Sequence, residues 1–213
     1  DWRLRELEWV AGERRTETIH REHGCLFKVD LQKCYFSPRL SYERLRIARQ
    51  VQPGEIIVNM FAGVGCYSII IAKHSQAEKV YSIDINPAAV AYLRENVRLN
   101  RLEGRVVPIE GDAGRVIEDR LRFVADRVLM PLPEKAWEFM DYALLALKPE
   151  GGWIHYYEFV HARRGEDPVE KVKVKLSEGL GKTCTSLKIS FGRVVRTTGP
   201  NWYQVAVDFW ARK

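Results

Sequence analysis

Two glycines, Gly63 and Gly65, stand just past the apolar run Ile56-Ile57-Val58-Asn59-Met60-Phe61, and an acid, Asp84, closes the next apolar run, Val80 to Ile83. Glycine lets the chain turn through conformations closed to other residues and lets a ligand approach the backbone. A carboxylate ending the following strand, about 20 positions on, suits two ribose hydroxyls. A G-x-G alone is common; the glycines and the acid at this spacing point together to a nucleoside site.

The residues after the turn narrow the nucleoside. A dinucleotide site needs G-x-G-x-x-G so that a helix N-terminus can hold a pyrophosphate. Here Gly65 is followed by Cys66-Tyr67-Ser68-Ile69 with no third glycine, which argues against NAD. A ligand with adenosine and no phosphate, such as S-adenosylmethionine, needs the turn for its amino acid tail, the acid for its ribose and a further polar group for its adenine. Gly111-Asp112-Ala113, after the apolar run Val106 to Ile109, supplies that group.

These residues must be positioned by alternating strands and helices. The spacing predicts strands at 56–60, 79–83, 105–109, 125–130 and 153–159, with helices at about 66–74, 87–100, 134–147 and 167–179 and a helix or turn at about 113–121. Trp137 and Phe139 fall at helical spacing and read as core, and His155, Tyr156 and Tyr157 as strand packing. Alternating runs at 185–196 and 202–210, joined through Gly199-Pro200-Asn201, read as an antiparallel pair. Asn86 before Pro87 is a helix cap with proline at the first position. The expectation is an α/β fold of the class I, Rossmann-like methyltransferase type: a mostly parallel sheet with an antiparallel terminal hairpin. Ligands in such sheets sit beyond the carboxyl ends of the strands. Phe61 to Gly65, Asp84, Asp112 and Pro131-Leu132-Pro133 all follow strand ends and are expected to share one crevice. Residues 1–33 read as a small β-rich segment, broken at Ala11-Gly12-Glu13 and Glu22-His23-Gly24. Residues 34–213 read as the catalytic domain.

With 213 residues, the chain can bury a substantial core. No apolar run approaches the roughly 20 residues that span a bilayer, and the expectation is a cytoplasmic protein. Four scattered cysteines without C-x-x-C spacing indicate neither zinc nor a disulfide framework, so no metal is expected. The net charge of +6 suits a polyanionic partner without demanding one.

Several strings together resemble one family: Tyr35-Phe36-Ser37-Pro38-Arg39-Leu40 with Glu43-Arg44, Asn59-Met60-Phe61-Ala62-Gly63-Val64-Gly65, Asp84-Ile85-Asn86-Pro87, and Gly151-Gly152-Trp153-Ile154-His155-Tyr156-Tyr157. They are similar to the archaeal and eukaryotic tRNA guanine-37 N1-methyltransferases and their wyosine-pathway relatives, over nearly the whole chain. The resemblance implies S-adenosylmethionine as donor, the purine at tRNA position 37 as target, a monomer, and a further N-terminal tRNA-recognition domain, so that this chain is expected to be a fragment and residues 1–33 to be part of an RNA-recognition or linker domain. It implies donor contacts from Asn59, Phe61, Ile85, Asn86, Ala113, Pro131 and Pro133 beside Gly63, Gly65, Asp84 and Asp112. It also implies a catalytic set of Glu43 as base, Tyr35 against the flipped purine, Arg39 on its exocyclic oxygen or a phosphate, Pro131 in the acceptor turn, and Arg3.

Two positions depart from the family pattern. Asn59 stands where Asp is frequent, and Pro131-Leu132-Pro133 replaces Asn-Leu-Pro, which removes an amide able to bond a purine edge. The second change is consistent with the branch that methylates a tricyclic wyosine intermediate at carbon, C7. Two other readings stand beside methyl transfer: 3-amino-3-carboxypropyl transfer from the same donor, and an RNA-binding module without turnover.

Overall fold

The structure is a computed structural model in which residue 4 and residues 6–213 are described; Arg3 lies outside the described residues. In chain order the elements are β1 (Glu17–Glu22), β2 (Cys25–Asp30), α1 (Ser41–Ala48), β3 (Ile56–Asn59), α2 (Cys66–His74), β4 (Lys79–Asp84), α3 (Pro87–Leu99) and β5 (Val106–Glu110). They continue with α4 (Ala113–Arg120), β6 (Arg127–Met130), α5 (Met140–Ala146), β7 (Gly152–His161), α6 (Pro168–Leu180), β8 (Ser186–Gly199) and β9 (Trp202–Arg212). Short 3-10 turns at Pro38–Leu40 and Ala136–Phe139 lead into α1 and α5.

Strands β3 to β9 form one sheet in the order β5-β4-β3-β6-β7-β9-β8. The β4–β5, β3–β6 and β6–β7 pairs are parallel, while β7–β9 and β8–β9 are antiparallel. This is the expected mostly parallel sheet with a terminal hairpin. By packing, the chain divides into two compact units, residues 1–55 with 61–113 and residues 56–60 with 114–213.

In the first unit β1 and β2 pair as a hairpin across His23 and Gly24, both at positive φ. No strand precedes Glu17 among the described residues, so the expected strand content of the opening segment is confined to this hairpin. Helix α2 is buried along nearly its whole length, with Ile69, Ile70 and Ile71 inaccessible, because its apolar residues surround the axis rather than line one stripe. The hairpin is held to α3 by two asparagines four residues apart on one helix face. Asn96 accepts from the Lys28 N–H at 2.7 Å and donates to the Lys28 carbonyl at 3.0 Å. Asn100 does the same for Leu26, at 2.9 and 2.7 Å. The amides thereby satisfy the outer edge of β2, which would otherwise present unpaired backbone groups.

In the second unit the core lies among Val128, Met130, Ile154, Val205, Val207 and Phe209. A charged network crosses three strands inside it: His155 Nε2 receives from Arg127 Nη1 at 2.7 Å and Nδ1 meets Asp208 Oδ1 at 2.7 Å. A guanidinium can only donate, so His155 carries its proton on Nδ1. Tyr156 and Tyr157 are also buried, as the packing reading of 155–157 requires. The expected helix at 134–147 is instead a 3-10 turn followed by α5, and Trp137 is 37 % exposed with Phe139 half-buried, so neither is core. The turn follows Pro133 closely, and its tighter winding rotates Trp137 off the α5 face.

One edge of the sheet, β8, is irregular. Its register against β9 shifts between Ile189 and Phe191, between Val194 and Arg196, and between Thr197 and Gly199. No helix of the described residues is long and apolar enough to cross a membrane, and no group of His, Cys, Asp and Glu among them could hold a metal ion. Burial pushes the Cys25 and Cys66 thiols up to about 11 and Cys34 to about 12, which leaves them protonated and inert at neutral pH.

Candidate functional site

The turn after β3 is built by its glycines. Gly63 and Gly65 have φ of +56° and +94°, which other residues adopt at a cost of order 1–3 kcal/mol. A Cβ on Gly65 would stand 2.3 Å from Leu93 Cδ1, so only hydrogen lets α3 lie against the turn. The Ala62 N–H donates to the Ile83 carbonyl at 2.8 Å, which sets the turn beside the end of β4.

Asp84, the last residue of β4, is gripped from two sides. Its Oδ2 accepts from the Gly63 N–H at 2.6 Å and its Oδ1 from the Asn86 N–H at 2.9 Å. Burial raises its pKa, and the backbone donors of Asn86, Gly63 and Ile85 oppose that rise. The carboxylate thus has a fixed orientation, with lone pairs beyond the two occupied ones available to hydroxyl donors. Ile85 beside it is 56 % exposed, an apolar side chain held in solvent at the strand end. Asn86 caps α3 by accepting from Ala88 and Ala89, while its Nδ2 donates to the Lys33 carbonyl at 2.9 Å. The loop after β5 joins the same place: the Gly111 N–H donates to the Asp84 carbonyl at 3.0 Å, followed by half-buried Asp112 and buried Ala113. The first unit therefore brings Phe61, Gly63, Gly65, Asp84, Ile85, Asn86, Asp112 and Ala113 into neighbouring strand-end loops.

The segment carrying Tyr35 and Arg39 abuts this turn, since a Cβ on Gly63 would meet the Tyr35 carbonyl oxygen at 4.0 Å. Tyr35 is half-buried and Arg39 exposed on the 3-10 turn. Glu43 is 2 % exposed, and its Oε2 accepts from Arg46 Nε and Nη2, each at 3.0 Å. It is neither the surface glutamate that an ordinary helix ion pair would give nor a carboxylate left loose, because the guanidinium fixes its direction. Arg44 is buried and anchors the segment: Nη1 reaches Glu22 Oε2 at 2.6 Å, Nη2 reaches the Ser37 carbonyl at 2.7 Å, and Phe36 and Tyr67 flank the guanidinium.

The second unit holds the remaining candidates. Asn59, fully buried, ends β3, and half-buried Pro131 and buried Pro133 follow β6. Asn59 pairs in register with Leu129, so the two strand ends lie side by side. The Leu132 carbonyl accepts from Lys135 and Ala136, which fixes the proline turn against the 3-10 segment.

Residues missed in the sequence are those whose partners are distant in the chain. Asn96 gave no local signal, yet its Nδ2 also donates to the Val64 carbonyl at 2.9 Å, tying the hairpin and α3 to the glycine turn.

The chain and its fold are similar to known proteins. The TRM5/TYW2 methyltransferase domain matches residues 18–182. A tRNA (guanine(37)-N(1))-methyltransferase, Trm5b of Pyrococcus abyssi, is 45 % identical over 98 % of this chain and 60 % of its own length. The tRNA 4-demethylwyosine(37)-methyltransferase Taw21 of Saccharolobus solfataricus is 43 % identical over 97 % of this chain and 74 % of its own length. A tRNA(Phe) (4-demethylwyosine(37)-C(7)) aminocarboxypropyltransferase of Methanocaldococcus jannaschii is 39 % identical over 92 % of this chain and 75 % of its own length. The crystal structure of Trm5 from Methanocaldococcus jannaschii in complex with adenosine superposes with a TM-score of 0.85 at 42 % identity, covering 99 % of this chain and 61 % of that one. The chain thus spans about 60 % of the first of these relatives. A domain match over most of the chain, and relatives this similar along nearly all of it, make this protein a member of the TRM5/TYW2 methyltransferase domain family.

Proposed function

We propose that this chain transfers a methyl group from S-adenosylmethionine to the purine at position 37 of tRNA, either at N1 of guanine or at C7 of the tricyclic wyosine intermediate, acting as a cytoplasmic monomer. The observation that carries the reading is the two-sided grip on Asp84, whose carboxylate is aimed by the Gly63 and Asn86 N–H groups in a chain of this family.

The loops fit the donor. Asp84 would accept from the ribose hydroxyls, Ile85 would lie on the adenine face with Asp112 and Ala113 at its edge, and Phe61 to Gly65 with Asn59, Pro131 and Pro133 would take the amino acid portion. When bound, the donor supplies a methyl group already activated on a positively charged sulfur. The chain's work is then to align and to remove a proton. The target base must leave its stack to be reached. Tyr35 would stack against it, Arg39 would hold its exocyclic oxygen, and Glu43, aimed by Arg46, would take the N1 proton of guanine as N1 bonds the methyl carbon and the carbon–sulfur electrons return to sulfur. Pro131 in place of an amide relaxes the demand for a guanine edge, which favours the tricyclic acceptor as well. Residues 1–33 would then belong to the RNA-recognition part of the protein and residues 34–213 to the catalytic part.

The test incubates the protein with labelled donor and two tRNAs, one with guanine at position 37 and one with the tricyclic intermediate, and identifies the product nucleoside by mass. Addition of a methyl group to either supports the reading. Addition of the larger aminocarboxypropyl group would replace it with the second one, to which the similar transferase of Methanocaldococcus jannaschii lends weight. No product on either tRNA, with the donor bound, would leave an RNA-binding module.

A further inference from the structure

The far end of β7, β8 and β9 takes no part in the proposed reaction. Strands β6 and β7 are paired only as far as Met130 and Tyr156. From Tyr157 to His161 β7 continues alone with β9, in register down to His161 opposite Trp202. At about 3.3 Å per residue this carries the hairpin roughly 16 Å past the strand end from which Pro131 departs, on the same side of the sheet.

The tip has an unusual composition for a strand end. The His161 and Trp202 rings meet edge to face at 5.4 Å, and Trp202 remains 46 % exposed. Arg163 and Arg164, both exposed, follow β7 directly, and Arg196 lies on β8 with its Nε on Gln204 Oε1 at 2.7 Å. The nearby acids are engaged: Glu166 accepts from the Arg163 N–H at 2.7 Å and from Lys171 Nζ at 2.9 Å, and Asp167 caps α6. From Gly179 to Val207 there is no Asp or Glu, while Lys182, Lys188, Arg193 and Arg196 fall in that stretch. An exposed indole on a tip that also carries arginines is the combination that holds unpaired nucleic acid, the ring taking a base face and the arginines the phosphates. A membrane would want a broader apolar surface than one indole.

We propose that the tip formed by His161 to Arg164 and Arg196 to Trp202 is a second RNA contact, holding an unpaired nucleotide of the tRNA substrate by stacking on Trp202 and by phosphate contacts from Arg163 and Arg164. This rests on the reading of the chain as a tRNA-modifying enzyme.

The test compares the full chain with Trp202→Ala, Trp202→Phe and the double variant Arg163→Ala/Arg164→Ala. Binding of substrate tRNA is followed by filter retention at several salt concentrations, donor binding by calorimetry, and turnover at saturating tRNA. The stacking contact predicts that Trp202→Ala weakens tRNA binding by roughly 5- to 100-fold and that Trp202→Phe recovers most of it. The double variant should weaken binding and lower the salt slope by about 1 to 2. Donor affinity and turnover at saturating tRNA should match the unaltered chain. Unaltered tRNA binding in both alanine variants, in a chain that does methylate tRNA, overturns this proposal alone. Loss of donor affinity in step with tRNA affinity overturns it too, since it marks damage to the fold. If the unaltered chain binds no tRNA, this proposal and the functional reading fall together.

Discussion

Asp84 sits half-buried at the end of its strand, and the loss of solvent there works against its charged form. Its pKa lies above the ordinary 3.8, chiefly through burial. A folded-state value above the unfolded one means that this group's stability contribution is complete below the unfolded pKa and is lost as pH rises through the folded one. Donor binding runs the other way, since the ribose needs the ionised form. Donor affinity should therefore fall on acidification at a higher pH than an unperturbed Asp would give; a calorimetric series from neutral to acid pH checks this, and a midpoint at or below 3.8 would contradict it. Asp84→Ala should weaken donor binding by about 10- to 100-fold, the value of hydrogen bonds to a charged group. For Glu43→Gln the expectation is a fall in turnover of about 100-fold with donor affinity intact, measured with labelled donor under single-turnover conditions. A variant as fast as the parent would remove Glu43 from the chemistry.

Among the elements, α3 carries most of the connections in the first unit. Asn86 at its cap reaches Lys33, Leu93 lies on Gly65, and Asn96 and Asn100 take the edge of β2. The two inner asparagines differ in one respect, because Asn96 alone also holds the Val64 carbonyl of the glycine turn. Asn96→Leu and Asn100→Leu should each lower stability in urea unfolding by about 1–3 kcal/mol by stranding backbone groups of β2. Asn96→Leu should in addition weaken donor binding several-fold, and equal donor affinity in the two variants would show that the Val64 contact does not matter. This is also where legibility ended. The alternation of β3 to β9 with their helices was readable because local Gly, Pro and Asn signals such as Gly63, Asn86-Pro87, Gly111, Pro131 and Gly151-Gly152 separate the apolar runs. The Asn96 and Asn100 contacts were not, because a helical asparagine facing a strand edge 68 to 74 positions away leaves no local trace. The burial of Glu43 was hidden for the same reason, since its cover comes from the tertiary fold. Trp137 was misread because a tight turn and a helix share nearly the same apolar spacing.

For the molecule as a whole, the hairpin of residues 17–30 is packed as part of the first unit rather than carried on a tether. Buried Glu22 meets buried Arg44 at 2.6 Å, and taking away one member of such a pair strands the other charge. A chain cut to residues 34–213 should consequently melt well below the full chain and bind donor weakly, which thermal unfolding and calorimetry on both would show. If the shortened chain matches the full one, the hairpin is dispensable for the fold.

The sheet has one long open border, and its ladder is interrupted three times along β8. Each interruption bends the strand and spoils the even row of backbone groups that a foreign strand would need to zip onto. Lys188, Arg193 and Arg196 along it would repel a second copy brought alongside in the same way. Crowded solutions of this protein should accordingly stay free of fibrils, and straightening the border by deleting one of the extra residues would be the change that invites self-assembly.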